Sequence, residues 1–389
     1  MVMAIVLVLI VVGSVLFHLF SPWWTTPLAS NWQTMDDTLT ITLVITGIFF
    51  VAINLFVVYA LIRYRHREGR PRAAHEPENR ALERWLIIGT SVGIAALLAP
   101  GLVVYANYVR SPPDALVLEV LGLQWQWHYR FPGADGKLGA TDARFVQGGN
   151  PFGIDPSDAA GQDDLLVASN EVHLPLGKPV LVLIRSHDVL HDFYVPPFRA
   201  RMNSVPGQVS RFWFTPTVAG RYEALCAQLC GVGHPNMRGF VVVEEPAAFQ
   251  AWQAALPTFA KTQVKAAPAP APEGAAGAGA RVEQGRALAE SKGCVACHTI
   301  DGTPRVGPTW KGLYGKTETM EDGARALVDE AYLRSFISDP TARRVKGFPP
   351  VMPKMDLSQE ELDALVAYIQ SLGSAPAQAA TEQKEKAPR

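Results

Sequence analysis

The spacing of apolar residues changes character along this chain, and each change predicts a different kind of structure. From Thr38 to Ile62, and again from Trp85 to Val109, there is no charged residue. Each run meets the roughly 20 apolar residues that a helix needs to cross a bilayer. Trp23, Trp24, Trp32, Trp85, Tyr105 and Tyr108 flank them. Core helices of a soluble domain are seldom so long or so edged with aromatics, so residues 38–109 read as a transmembrane helical hairpin. The connection between the spans holds Arg63, Arg65, Arg67, Arg70, Arg72, Arg80 and Arg84. That excess of positive charge marks the cytoplasmic side and puts everything after Arg110 on the outer face. Met1 to Phe20 is apolar too. Without a basic start, and with only Pro27-Leu28-Ala29-Ser30 as a cleavage-like stretch, residues 1–30 read as a signal peptide or an extra transmembrane segment, the retained segment being preferred.

Beyond the second span the period drops to two. In Gln124-Trp125-Gln126-Trp127-His128-Tyr129-Arg130-Phe131, aromatic and polar residues alternate as in a half-buried strand. Strand-like runs recur at Leu165–Ser169, Val180–Arg185, Val209–Thr215 and Phe240–Val243, punctuated by turns such as Pro206-Gly207. Short strands at this spacing predict a small sandwich or barrel over 114–248. Residues 261–280 turn to Ala, Pro and Gly and read as a linker. A helical pattern follows over 281–292. Another is capped by Ser358 and Glu361 and presents Leu362, Leu365, Val366 and Ile369 on one face. Residues 281–373 therefore form a helical domain, and 374–389 a disordered tail.

Charge adds little to this picture. Lys plus Arg number 35 and Asp plus Glu 36, a balance that points away from nucleic acid. Cysteine adds much more. The chain has four, in two close pairs, Cys226-x3-Cys230 and Cys294-x2-Cys297, each followed by a histidine. A disulfide framework spaces its cysteines more widely. Cys226-Ala-Gln228-Leu-Cys230-Gly-Val-Gly-His234-Pro-Asn-Met237 gathers two thiols, an imidazole and a thioether within twelve residues. Soft donors of this kind select copper or zinc, and the methionine favours electron-transfer copper. A second histidine must come from elsewhere. His191, in Asp188-Val-Leu-His191, is the candidate, with His187 and His173 as competitors. Cys294-Val-Ala-Cys297-His298 has the spacing of covalent haem c attachment, with His298 as axial ligand.

The sequence S-x-D-V-L-H…V-P with C-x-x-x-C-G-x-x-H-x-x-M, the hairpin and the Gln-Trp-Gln-Trp segment together resemble subunit II of haem–copper cytochrome c oxidases, over roughly residues 35–248. The resemblance implies a cupredoxin-like β-sandwich with a binuclear copper centre, CuA. Cys226 and Cys230 would bridge the coppers, His191 and His234 would cap them, and Met237 and the Gln228 carbonyl would complete the set. The family often has Glu at position 228, where the side chain also helps to hold magnesium at the subunit I interface. A neutral amide suits a hard cation less well.

By the same resemblance, Trp125 matches an aromatic through which electrons reach CuA; a core strand tryptophan is the other reading. Glu83 resembles an acid linked to proton uptake in subunit I, against a helix-cap or surface-pair reading. Residues 281–373 resemble class I cytochrome c, in which Met352, with Met355 as the other candidate, would be the sixth haem ligand. The whole implies a multidomain membrane protein: a transmembrane hairpin, a cupredoxin-like sandwich and an all-α cytochrome c domain. It would carry electrons from an external cytochrome c-like donor through haem c and CuA to subunit I, with subunit III beside it, in a bacterial inner membrane. A nitric oxide reductase component is the alternative within redox chemistry, and a membrane copper-delivery or redox-sensing protein the alternative outside it.

Overall fold

The computed structural model describes residues 2–20, 26–65, 69, 78–147, 149–264, 275–303, 305–355 and 357–373. Arg67, Arg70 and Arg72, positions 265–274 of the expected linker and the tail over 374–389 lie outside the described residues. Three apolar helices come first: α1 (Val2–Phe20), α2 (Gln33–Arg63) and α3 (Arg80–Tyr108). Each is long and apolar enough to cross a membrane. Large side chains such as Phe49, Phe56, Ile87 and Ile94 are exposed along them, an arrangement that suits a hydrocarbon surround. α1 lies against α2, as a third apolar helix beside the expected hairpin.

The middle of the chain contains β1 (Leu116–Leu123), β2 (Gln126–Phe131), β3 (Leu165–Val167), β4 (Glu171–Pro175) and β5 (Val180–Ser186). It continues with β6 (His191–Val195), β7 (Ala200–Ser204), β8 (Ser210–Phe214), β9 (Gly220–Cys226) and β10 (Arg238–Glu244). These strands build two five-stranded sheets, ordered β3-β2-β1-β5-β8 and β4-β10-β9-β6-β7. The β1–β5 and β4–β10 pairs are parallel, and β1–β2 and β9–β10 antiparallel. Trp127, Tyr129 and Phe131 from one sheet meet Phe193, Val195 and Val241 from the other in a closed core.

The alternation in β2 predicted a half-buried strand, yet both of its faces are covered. Arg130 is buried on the second face, bonded to Glu119 and to Asp164 at 2.5 Å. Phe152, Ile154 and Phe259 close over that side. The helices Pro246–Ala254 and Phe259–Val264 fold back on the sandwich, where Phe249 meets Phe131 edge-on and Trp252 stacks on His173. The stretch expected as a linker from 261 is thus helical to Val264.

The segment joining α1 to α2 is woven into the sandwich. Ala29 N–H donates to the Pro197 carbonyl and Asn31 N–H to that of Thr215, while the Ser30 hydroxyl donates to the Phe198 carbonyl at 2.7 Å. Pro27-Leu28-Ala29-Ser30, weighed above as a cleavage stretch, therefore borders or joins folded structure. Trp32 and Tyr108, expected at a lipid interface, are buried in the sandwich core. They meet edge-on, and Trp32 also meets Trp213 edge-on. The Arg199 guanidinium binds both carboxylate oxygens of Asp36 at 2.7 Å.

The C-terminal unit is built on α4 (Ala275–Ser291), α5 (Glu330–Ser338) and α6 (Gln359–Ser371). α4 begins five residues before the position read as the linker's end. A Cβ at Gly285 would fall 2.0 Å from the Ala364 carbonyl oxygen, so glycine is what lets α4 and α6 cross so closely. The Ser358–Glu361 capping box is formed on both sides, and Leu362, Leu365, Val366 and Ile369 are buried as the periodicity required.

Candidate metal centres

Two strands and one loop assemble the first centre. Cys226 closes β9, His191 opens β6, and the loop over 227–237 returns to β10. Antiparallel pairing sets Phe193 against Cys226, which brings His191 to the loop's base. His191 thus starts a strand. The two sulfurs are 3.7 Å apart. His191 Nδ1 lies 3.9 Å from Cys226 Sγ, and His234 Nδ1 lies 3.6 Å from Cys230 Sγ. Met237 Sδ is 3.9 Å from Cys230 Sγ, and the Gln228 carbonyl oxygen 3.2 Å from Cys226 Sγ.

Local electrostatics prepare these donors. Cys226 is pulled down to about 3, first by its hydrogen bond from Cys230, against burial, and then by His191. The Cys230 thiol is pushed up by the same pairing and by burial. Burial pulls His191 down, but its hydrogen bonds to Asp188 and Cys226 outweigh burial and the net shift is upward. His191 Nε2–H donates to Asp188 Oδ1 at 2.8 Å, which turns Nδ1 towards the sulfurs. A carboxylate behind a ligand imidazole fixes its tautomer and direction in this way. Two thiols, two imidazoles, a thioether and a carbonyl fit copper; the thioether fits zinc poorly. Of the competitors, His187 is exposed, and His173 pairs with Glu244 at 2.9 Å.

The second centre surrounds an open, mainly apolar cavity of about 1410 Å³, mouth included, between α5, α6 and the loops around them. Cys294, Cys297 and His298 line one side, and Met352 and Met355 also face it. Burial pushes the Cys294 thiol up to about 11 and raises Cys297 as well. His298 is shifted down by burial, and its Nδ1–H donates to the Pro308 carbonyl at 2.8 Å, which leaves Nε2 free as a neutral ligand. Trp310 stacks on the ring, centroids 5.1 Å apart. Thiols beside a directed imidazole, with methionines lining the same apolar slot, fit a covalently attached haem. Met352 packs against the domain's core.

Trp125 lies between the two centres. It occupies the turn between β1 and β2, whereas the core position belongs to Trp127, only 1% exposed. Its indole N–H donates to the Cys230 carbonyl at 3.0 Å, and its ring lines the cavity that holds Cys294 and Cys297. A Cβ at Gly233 would fall 2.2 Å from this ring. Of the two glycines in this loop, Gly231 has a positive φ of 115°, while Gly233 makes room for Trp125. Glu83 is exposed in the first turn of α3, its N–H donating to the Asn79 carbonyl. Asp188 was quoted in the sequence motif without a role, and Gln124 and the Pro308 carbonyl were missed. An acid three residues before a ligand histidine was the available signal for Asp188.

Known families match two stretches of the chain. Residues 116–245 match the family model for the cytochrome c oxidase subunit II periplasmic domain, and residues 282–373 that for cytochrome c. Over 260 residues the chain is 53% identical to the alternative cytochrome c oxidase subunit 2 of Bradyrhizobium diazoefficiens, a match covering 67% of this chain and 94% of that one. Over 351 residues it is 23% identical to cytochrome c oxidase subunit 2 of Alkalihalophilus pseudofirmus, covering 87% of each. Among solved structures, the periplasmic domain of subunit II from Bradyrhizobium japonicum matches at 26% identity with a TM-score of 0.28, covering 37% of this chain and 95% of that one.

Proposed function

The chain belongs to the cytochrome c oxidase subunit II family, and on that premise we propose that it is the electron-accepting subunit of a caa3-type haem–copper oxidase. Cys226 and Cys230 would bridge a CuA of two coppers, with His191, His234, Met237 and the Gln228 carbonyl completing it. Cys294, Cys297 and His298 would hold one haem c, with Met352 as its sixth ligand. Bound there, these groups supply one-electron chemistry, from an external donor at haem c to CuA and on to the oxygen-reducing centre of subunit I, coupled to proton pumping.

The chain's own residues do the positioning. Asp188 holds His191 in the ligating tautomer, the Pro308 carbonyl holds His298, and burial of Cys226, Cys230 and Met237 keeps water from the copper side. A dry, preformed donor set leaves little to reorganise when charge changes. Glu83, at the cytoplasmic start of α3, would serve proton uptake in subunit I. Subunit III would complete the complex in a bacterial inner membrane, with both redox centres on the periplasmic face.

The observation that carries this reading is the convergence of Cys226, Cys230, His191, His234 and Met237, each with a ligand atom less than 4 Å from a cysteine sulfur of the group. Purification with the native partners, followed by metal analysis and electron paramagnetic resonance, tests it. The expected result is about two coppers per haem c in this chain, a ratio set by the bridged donor set, over and above the copper of subunit I, with a delocalised mixed-valence signal and oxygen consumption at an electrode. One copper or none in this chain would refute it, and turnover of nitric oxide without oxygen would move it to the other reductase class.

A further inference from the structure

Resting on that reading, we propose that Gln124 is a positioning residue for electron transfer inside this chain, because it clamps the Cys230 carbonyl where the haem cavity and the copper loop share a wall. Gln124 Nε2–H donates to the Cys230 carbonyl at 2.8 Å, beside the Trp125 indole N–H at 3.0 Å. One carbonyl oxygen thus takes both of its hydrogen bonds from two successive residues, which saturates its acceptor capacity. The same two residues line the cavity that holds Cys294, Cys297 and His298. The wall between the sites is therefore a single layer of side chain, bonded on its far side to a residue that carries a copper-binding thiol.

Gln124 is itself fixed. Its backbone N–H donates to Asp188 Oδ2 at 2.8 Å, and Asp188 Oδ1 accepts from His191 Nε2–H. The Gln124 main chain is thereby tied to the β6 ligand and its side chain to the loop ligand. A Cβ at Gly231 would lie 3.0 Å from Gln124 Nε2 and 3.1 Å from the Trp125 ring, so glycine is what lets the copper loop approach both side chains of the wall. The step it serves is one electron from the reduced haem iron to the oxidised copper pair. The iron is oxidised, the copper pair is reduced by one, and no bond or proton changes. Trp125 supplies the aromatic surface, and Gln124 holds the carbonyl and the indole in register.

The test uses the purified oxidase with Gln124→Leu, Trp125→Phe and the double variant. Haem c is photoreduced by a flash, and its reoxidation is followed against reduction of the near-infrared copper band. Copper content, haem content, the copper resonance signal and both midpoint potentials are measured alongside. Loss of one neutral hydrogen bond from the wall should slow haem-to-copper transfer roughly threefold to tenfold in each single variant, with contents and potentials unchanged. The double variant should be slowed by less than the product of the two, because both donors act on one oxygen. An unchanged rate in Gln124→Leu or in Trp125→Phe, or effects that multiply, would overturn the proposal. So would loss of copper from Gln124→Leu, since that would make the residue a support of the metal site and not of the path. A wild-type chain lacking the copper pair would instead refute the oxidase reading itself.

Discussion

Replacing Gly307 with alanine should injure the haem site through a single contact. Gly307 does not have a positive φ, so alanine suits its backbone and only space is at issue. An added Cβ would lie 2.6 Å from His298 Cε1 and 2.9 Å from Nδ1, whereas ordinary contact begins at 3.4 Å. The ring would have to retreat by about 0.8 Å, the difference between those two distances. It cannot do so freely, because Nδ1–H is bonded to the Pro308 carbonyl at 2.8 Å and the ring is stacked on Trp310. Overpacking of this kind costs about 1–3 kcal/mol, and for a domain of this size that lowers the melting temperature by roughly 4–24 °C. Haem should still attach, since Cys294 and Cys297 are untouched, but the six-coordinate low-spin fraction should fall. Calorimetry and optical spectra of the purified oxidase measure both. A variant that melts and absorbs like the wild type would refute the argument that Gly307 is there to admit the imidazole.

Three further outcomes are expected. Met352→Leu should lower the haem midpoint potential by a measurable part of the roughly 0.8 V range that axial ligands command, while Met355→Leu should leave it in place; a redox titration of each decides. Burial raises Asp164 to about 6, above its unfolded value, so its contribution to stability is present below the unfolded value and is lost as pH rises through 6. The stability difference between the wild type and Asp164→Asn should therefore shift in the wild type's disfavour between about pH 4 and pH 6, by on the order of 1–3 kcal/mol, in denaturant titrations. Ser358→Ala removes one half of the α6 capping box and should cost about 1 kcal/mol, seen as a fall of about 4–8 °C in the haem domain's melting temperature.

Much of this molecule was legible because its chemistry is local. Four ligand-type residues within 226–237 and three within 294–298 declare themselves by spacing alone, and the α6 cap and apolar face follow from short-range rules. What stayed hidden depends on tertiary contact. β1 reads as nearly unbroken apolar sequence because it pairs in parallel with β5 inside the sheet, and such strands lose the alternation that marks a half-exposed one. β6 and β9 are short and mixed, so the partner histidine was found from its motif while its place at a strand's start was not. Trp125 and Trp127 look equivalent in an alternating run, yet the turn before β2 sends one to the core and the other to the copper loop. Trp32 resembles a membrane-edge tryptophan because nothing nearby in sequence reveals that Trp213 will cover it.

That burial of Trp32 has a mechanical consequence. With Tyr108 at the end of one span, Trp213 in the sandwich and the Asp36–Arg199 fork at the start of the other, the outer domain is riveted to its membrane helices on two sides. The copper loop must then tilt and rise with those helices as one piece. An acceptor seated against the same helices would see the copper site at a constant height and heading, however much the lipid around them undulates.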